Sequence, residues 1–424
     1  MTLTRRKLLT SVAAFGVSAA FAQVARADNG DGDESIWDMM QHNAIMKAAK
    51  PDENTAAAIA AIDTPEPILS IDTANNIQAA IAYYTEVVQQ GGWDQPTRPM
   101  FHLSLGKSGL AVAHLQKHLM ITGDMPPTTK TSSDFDNATD LGIRKFQVRH
   151  GIIPTGKVDE PTFYALQVTA DQRLAQLQLN LQRVQAVAPN LTSDRYVVVN
   201  IPAASIEAVE GGQVAQRHTA VVGRIDRPTP ILDSKIQQVN FNPYWHVPKS
   251  LIEKDLIKYM NDDPQYLTKF KIHIYDDKGA EVQPTDIDWK TDDAVNYSFR
   301  QEPGADNSMG HCKINFPNKF DVYLHDTPSK SLFAENARFH SSGCVRVQGV
   351  DELVNWLLQP NTGWDQGAVE AVFNSNERLD VTLKKPTPIH TTYVSAWANR
   401  TGVVSFRDDV YQFDAQGLVD TATA

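Results

Sequence analysis

Residues 321–348 read D-V-Y-L-H-D-T-P-S-K-S-L-F-A-E-N-A-R-F-H-S-S-G-C-V-R-V-Q. Val322-Tyr323-Leu324 has the β-prone composition of a short strand, which delivers His325 at the strand end, facing a cleft. Cys344 follows in the setting Ser341-Ser342-Gly343-Cys344-Val345-Arg346. The small residues before the cysteine let backbone N–H groups crowd around the sulfur. A cysteine attacks as its thiolate, and a neighbouring histidine that takes the proton supplies that form. The N–H groups of Gly343 and Cys344 are the expected holders of the oxyanion that attack on a carbonyl would create. Ser341 is expected to orient His325 or the loop. His340 is the rival base: on a helix it would share the face of Cys344, but Gly343 and the serine pair favour a loop.

Working outward, short strands with turn signals surround this stretch, at 196–202, 204–208, 214–222 and 237–241 before it and 379–383 after it. Residues 249–300 interrupt them with a more polar, partly helical insertion of the size of a cap or lid. A helix is expected over 349–360. Ahead of the strands, Ile77, Ile81, Tyr84 and Val88 recur at helical spacing over 73–90, and Gly91-Gly92 ends the run. Residues 99–168 form a small unit with three short helices at 110–121, 137–150 and 161–166. An amphipathic helix over 170–187 puts Leu174, Leu177, Leu181 and Val184 on one face, with Arg173 and Arg183 off it. It should pack on the 73–90 helix. The chain closes with a hairpin turning at 399–402 and a polar tail. The fold class is therefore α+β. The expected divisions are 1–27, 28–98, 99–168, 169–195, 196–385 and 386–424.

The chain has 424 residues, 42% hydrophobic and 21% charged, enough for two or three domains. Its net charge of −11, without a long basic run, argues against nucleic acid as a partner. Thr4-Arg5-Arg6-Lys7 precedes an apolar segment broken by Thr10, Ser11, Gly16 and Ser18, and Ala25-Arg26-Ala27 has the small-x-small cleavage pattern. This reads as an export signal of twin-arginine type, leaving a mature protein that does not span the membrane. An exported chain with two cysteines, Cys312 and Cys344, has the option of one disulfide, which would disable a nucleophile at 344. His311, Cys312, His325, His340 and Cys344 match no zinc spacing, and the His114/His118 pair lacks a third ligand and reads as a solvated helix face. No metal and no cofactor is expected.

Two resemblances sharpen this reading. The blocks L-x-x-G-x-x-G-x-x-V-x-x-L-Q, I-R-x-F-Q-x-x-x-G-I and G-x-V-D-x-x-T-x-x-A-L within 99–168 resemble the three-helix peptidoglycan-binding domain. R-Y-V-V-V-N-I-P, V-V-G-R-x-D-R-P-T-P, F-N-P-Y-W-x-V-P, N-x-M-G-x-x-K-I-x-F-P-N, Y-L-H-D-T-P and S-S-G-C-V-R-V resemble an L,D-transpeptidase of the large capped branch. Many members have histidine where Ser342 stands; the capped branch tolerates serine there, which leaves His325 as the base. The resemblance implies a periplasmic enzyme in which Cys344 forms a thioester with a tetrapeptide stem. It also implies release of D-alanine and transfer of the acyl group to an acceptor amine on another stem or on an outer-membrane protein. An L,D-carboxypeptidase and an inactive peptidoglycan-binding protein are the alternatives. Arg346 would hold a substrate carboxylate or make a structural ion pair. Tyr323 and Trp245 would line the stem-peptide groove or fill the core. Ser342 and His340 would border the substrate.

Overall fold

The computed structural model describes residues 51–127 and 129–419. The expected export signal lies outside the described residues. Fifteen strands are named in chain order: β1 (Arg195–Asn200), β2 (Ser205–Glu210), β3 (Gln213–Gly223), β4 (Leu232–Phe241), β5 (Trp245–His246), β6 (Ile272–Tyr275), β7 (Glu281–Val282), β8 (Ser298–Gln301), β9 (Cys312–Asn315), β10 (Leu324–His325), β11 (Phe339–Ser341), β12 (Val345–Val347), β13 (Leu379–Thr392), β14 (Ala396–Ala398) and β15 (Val404–Phe406).

The main sheet runs β11-β3-β12-β10-β9-β4-β13-β1-β2, and β2 pairs back onto β3. That last pairing closes the sheet on itself and leaves β11 as a short added edge. Side chains alternate across each strand, so one set points into the closed sheet. Val197, Val199, Ile206, Ala220, Val222, Val239, Ile314, Leu324, Val345 and Val347 form this core, joined by Leu353, Val354 and Leu357 of the Val350–Leu358 helix. The other face of β1 is buried as well. Tyr196 and Val198 meet a second core built from the Ile71–Gln89 and Ala170–Val187 helices and the β14–β15 hairpin. Burial on both sides explains why 196–199 is an unbroken apolar run rather than an alternating one.

The helix starts follow local chemistry. Ser70, Asp136, Asp159 and Thr169 each accept a backbone N–H of the first turn, and Thr169 with Gln172 completes a capping box. The Ala170–Val187 helix departs from the sequence reading. Its apolar face packs on Ile71–Gln89 as expected, but Arg173, Asn180 and Arg183 are also buried. Arg183 donates to the carbonyls of Tyr393 and Leu418 and pairs with Asp414 at 2.5 Å. A second buried face, against the C-terminal segment, adds to the scaffold role expected of this helix.

The expected polar tail is likewise docked. Tyr411 donates its hydroxyl to the Gly223 carbonyl at 2.6 Å, and Asp409 accepts from the Tyr393 hydroxyl at 2.8 Å. The division at 385 also fails, because β13 continues through Pro386 and Pro388 to Thr392. A register shift between Thr382 and Thr387 absorbs the first proline, and beyond it β13 pairs with both β4 and β1.

The 249–300 insertion is a small domain with its own sheet, β5-β8-β6-β7, and its own core of Trp245, Leu256, Met260, Leu267, Ile274 and Phe299. Tyr323 and Met309 of the main body pack into that core. The cap is therefore seated directly on the strand that carries His325.

The 99–168 unit holds helices Leu110–Ile121, Asn137–Arg149 and Glu160–Gln167 around Val112, Leu115, Leu119, Ile143, Phe146 and Val158. His118 is not on a solvated face. It is 6% exposed, its ring 5.0 Å from Trp93 and 6.1 Å from Phe146, and burial lowers its pKa to about 3. Only His114, four residues earlier, is exposed.

Candidate active site

Strand parity decides which side chains meet. Leu324 pairs with Val345 and with Ile314, and all three point into the closed core. Their neighbours therefore share the opposite face. His325 stands between Arg346 on β12 and Lys313 on β9. Tyr323, whose carbonyl accepts from Val345 N–H at 3.0 Å, lies beside Cys344. Cys344, one position before β12, is thus the diagonal neighbour of His325 on this face. His340 is elsewhere: on the edge strand β11, its Nε2 is 2.9 Å from the Glu335 carboxylate and 2.9 Å from the Ala337 carbonyl. Of the two candidate bases, His325 is the one set on the strand adjoining the cysteine.

The turn before Cys344 is pinned from several directions. Gly343 has φ +111°, a conformation that requires glycine. Its N–H donates to Ser341 Oγ at 3.2 Å, and the Ser341 hydroxyl donates to the Cys344 carbonyl at 2.5 Å. Thr229 Oγ1 donates to the Gly343 carbonyl at 2.9 Å and accepts from Gly223 N–H at 2.9 Å. The Gly343 N–H, expected as an oxyanion donor, is therefore already engaged. The Cys344 N–H has no hydrogen bond among the described residues and is the donor of the two left free. Ser341 holds the loop rather than His325.

Ser342 has a different task from the one expected. Arg227 Nη1 donates to its Oγ at 3.0 Å and to Asp255 of the cap at 2.9 Å, with a second Arg227–Asp255 contact at 3.3 Å. One guanidinium thus ties the cysteine turn to the cap. Arg227→Ala is expected to weaken this tie by about 1–3 kcal/mol. Hydrogen exchange over 249–262 should quicken about 5- to 100-fold in this variant; unchanged protection there would show that the tie does not hold the cap.

The electrostatics are those of a largely buried, positively charged recess. Burial raises the Cys344 pKa; the Tyr323 N–H and phenol, Lys313 and Arg346 oppose it. Burial, then the Arg346 charge, lowers the His325 pKa to about 3, so its imidazole is neutral across the physiological range. The resting pair is therefore thiol and neutral imidazole. The thiolate–imidazolium pair is disfavoured because burial penalises both ions; Arg346 and Lys313 oppose a charged ring while favouring the thiolate. His325 Nδ1 is buried without a hydrogen-bond partner among the described residues, which leaves it open to a proton. Arg346 is 3% exposed, and its Nε and Nη1 also lack partners there, so it makes no structural ion pair. Trp245 is 4% exposed within the cap core and bonds the Tyr323 phenol, so it supports Tyr323 from behind instead of lining a groove. Cys312 is fully buried in the core of the closed sheet. Both cysteines are free, so this structure holds no bridge between them. Two participants escaped the sequence reading: the Arg227/Thr229 loop and Lys313. The alternation of apolar Cys312 and Ile314 around Lys313 was the signal that could have placed it on the His325 face.

Residues 194–396 match the L,D-transpeptidase catalytic domain family (YkuD). The chain carries an L,D-transpeptidase catalytic domain. Residues 108–166 match the family described as "Putative peptidoglycan binding domain", so a peptidoglycan-binding unit precedes the L,D-transpeptidase domain. A protein of Haemophilus influenzae named "Putative L,D-transpeptidase" is 34% identical over 265 residues, which cover 62% of this chain and 50% of that one. The chain thus spans about half the length of this curated relative. Among solved structures, an L,D-transpeptidase from Stackebrandtia nassauensis is 14% identical and covers 71% of this chain and 97% of its own, with a TM-score of 0.26. One from Xylanimonas cellulosilytica is 16% identical and covers 69% and 98%, with a TM-score of 0.22. The L,D-transpeptidase match runs to 396, past the division at 385 and in step with β13.

Proposed function

We propose that the protein is a peptidoglycan L,D-transpeptidase acting through a thioester on Cys344. The observation that carries this is the placement of Cys344 and His325 on one largely buried sheet face beside the unpartnered guanidinium of Arg346. In the acylation step the sulfur attacks the carbonyl of residue three of a tetrapeptide stem, and the thiol proton passes to His325. The oxyanion is held by the Cys344 N–H. The carbon–nitrogen bond to D-alanine then breaks, and His325 returns its proton to the leaving amine. In the second step an acceptor amine attacks the thioester, loses a proton to His325, and releases the thiol. Tyr323 fixes the sulfur, and Arg346 binds a carboxylate of the stem. The amino-terminal signal pattern supports a periplasmic site of action, and binding by the 108–166 unit would keep the enzyme on its polymeric substrate.

Incubation with a disaccharide-tetrapeptide tests the reading. Cross-linked dimers and free D-alanine, identified by mass spectrometry, are the expected products. Tripeptide alone would make the protein an L,D-carboxypeptidase. Product only when an outer-membrane protein supplies the amine would make it an attachment enzyme. Absence of any Cys344 adduct, with stem or with a carbapenem, would leave a binding protein without catalysis.

A further inference from the structure

We propose that Lys313 and Arg346 form a two-cation cradle around His325 that holds the terminal carboxylate of the leaving residue, making Lys313 a specificity-determining residue for donor stems that end in a free acid. The proposal rests on the transpeptidase reading above. Its basis is the transverse row Lys313–His325–Arg346 across β9, β10 and β12, fixed by backbone pairing. All three side chains lie on the face that carries Cys344, one row further along the strands. The row itself holds two cations and no carboxylate; Asp326, the next residue after His325, acts on the ring and is paired with Lys330.

Arg346 is nearly fully buried with two nitrogens unbonded among the described residues. A buried guanidinium with unused donors is costly and marks a place where a ligand supplies the missing acceptor. Lys313 makes no ion pair among the described residues; its Nζ sits 4.2 Å from the centroid of the Tyr323 ring, which holds it at the cleft. The Cys344 sulfur and, after it, Asp321 act on it, Asp321 from beyond ion-pair distance.

The chemistry of the step identifies the anion. His325 must protonate the leaving amine, so that nitrogen lies against the imidazole. In an α-amino acid the carboxylate is one carbon away from that nitrogen. It therefore falls beside His325, between the two flanking cations. A carboxylate elsewhere on residue three extends away from the scissile bond and has no such obligation to this row. Two positive donors converging on one carboxylate give a preference that a carboxamide does not reproduce.

The test compares Cys344 acylation, followed by intact-mass spectrometry, with a disaccharide-tetrapeptide ending in the free acid and with the same stem ending in a carboxamide. The native protein should prefer the acid by about 10- to 100-fold. Lys313→Met, which keeps an aliphatic stem over Tyr323, should lose about 10-fold of that preference, and Lys313→Arg should keep most of it. Equal use of acid and amide by the native protein would overturn the cradle while leaving the transpeptidase reading intact. So would a Lys313→Met variant that slows both stems by the same factor, since that is the signature of a purely structural contact with Tyr323. If neither stem acylates the native protein while iodoacetamide still alkylates Cys344, the transpeptidase reading fails and the cradle with it.

Discussion

Cys344→Ala is expected to form no acyl adduct with a tetrapeptide stem, and His325→Ala to form it about 10²–10⁴-fold more slowly, with the fold of both variants retained. The first loss is complete because the other thiol of the chain, Cys312, is fully buried inside the closed sheet. The second is partial because the Cys344 N–H and Arg346 still act on the bound carbonyl and carboxylate. Full activity of His325→Ala would refute its assignment as base. The resting protonation state gives a companion measurement. With the Cys344 pKa raised by burial and the His325 ring held neutral, alkylation of Cys344 by iodoacetamide should rise about tenfold per pH unit between pH 6 and 8, following the thiolate fraction. A plateau from pH 5 to 8 would instead reveal a preformed thiolate–imidazolium pair, the arrangement that the sequence suggested.

That contrast shows what the sequence carried and what it did not. Local signals were sufficient for the helices at 110–121 and 170–187 and for the first strands, because periodicity and caps act within a few residues. They were also sufficient to select Cys344 and His325 as a pair, since a strand ending in histidine and a glycine turn before cysteine are both local. The charge state of the pair was not local. It depends on Arg346 and Lys313 converging from two other strands and on burial beneath the cap. The same holds for Gly343, whose N–H is used up by the Ser341 hydroxyl, and for Ser342, whose partner Arg227 is over a hundred residues away and reaches on to the cap. His118 misled for a related reason. A polar residue off an apolar stripe reads as solvated until a second body packs on that side.

The buried histidines also set how the protein meets acid. His118 and His325 are held near pKa 3 by burial, against an unfolded value of about 6.5. Below pH 6.5 the unfolded chain binds protons at these sites that the folded chain refuses. Each group's stability contribution is therefore fully present above pH 6.5 and is lost as the pH falls toward 3. At pH 4.5 each should have cost about 2–3 kcal/mol, two pH units at about 1.4 kcal/mol per unit. Together they are large beside the stability of an ordinary domain. The two sites lie in different bodies, His118 in the peptidoglycan-binding unit and His325 in the catalytic sheet, so both bodies should soften over the same pH range. The urea midpoint of the native protein should fall steadily from pH 6.5 to 4.5. His118→Leu removes one titrating group and keeps an apolar side chain between Trp93 and Phe146, so its decline should be shallower by about 1.4 kcal/mol per pH unit in the transition of the peptidoglycan-binding unit. An identical slope in native protein and variant would mean that the His118 ring takes up its proton in the folded state, and the dry packing against Trp93 would have to be abandoned.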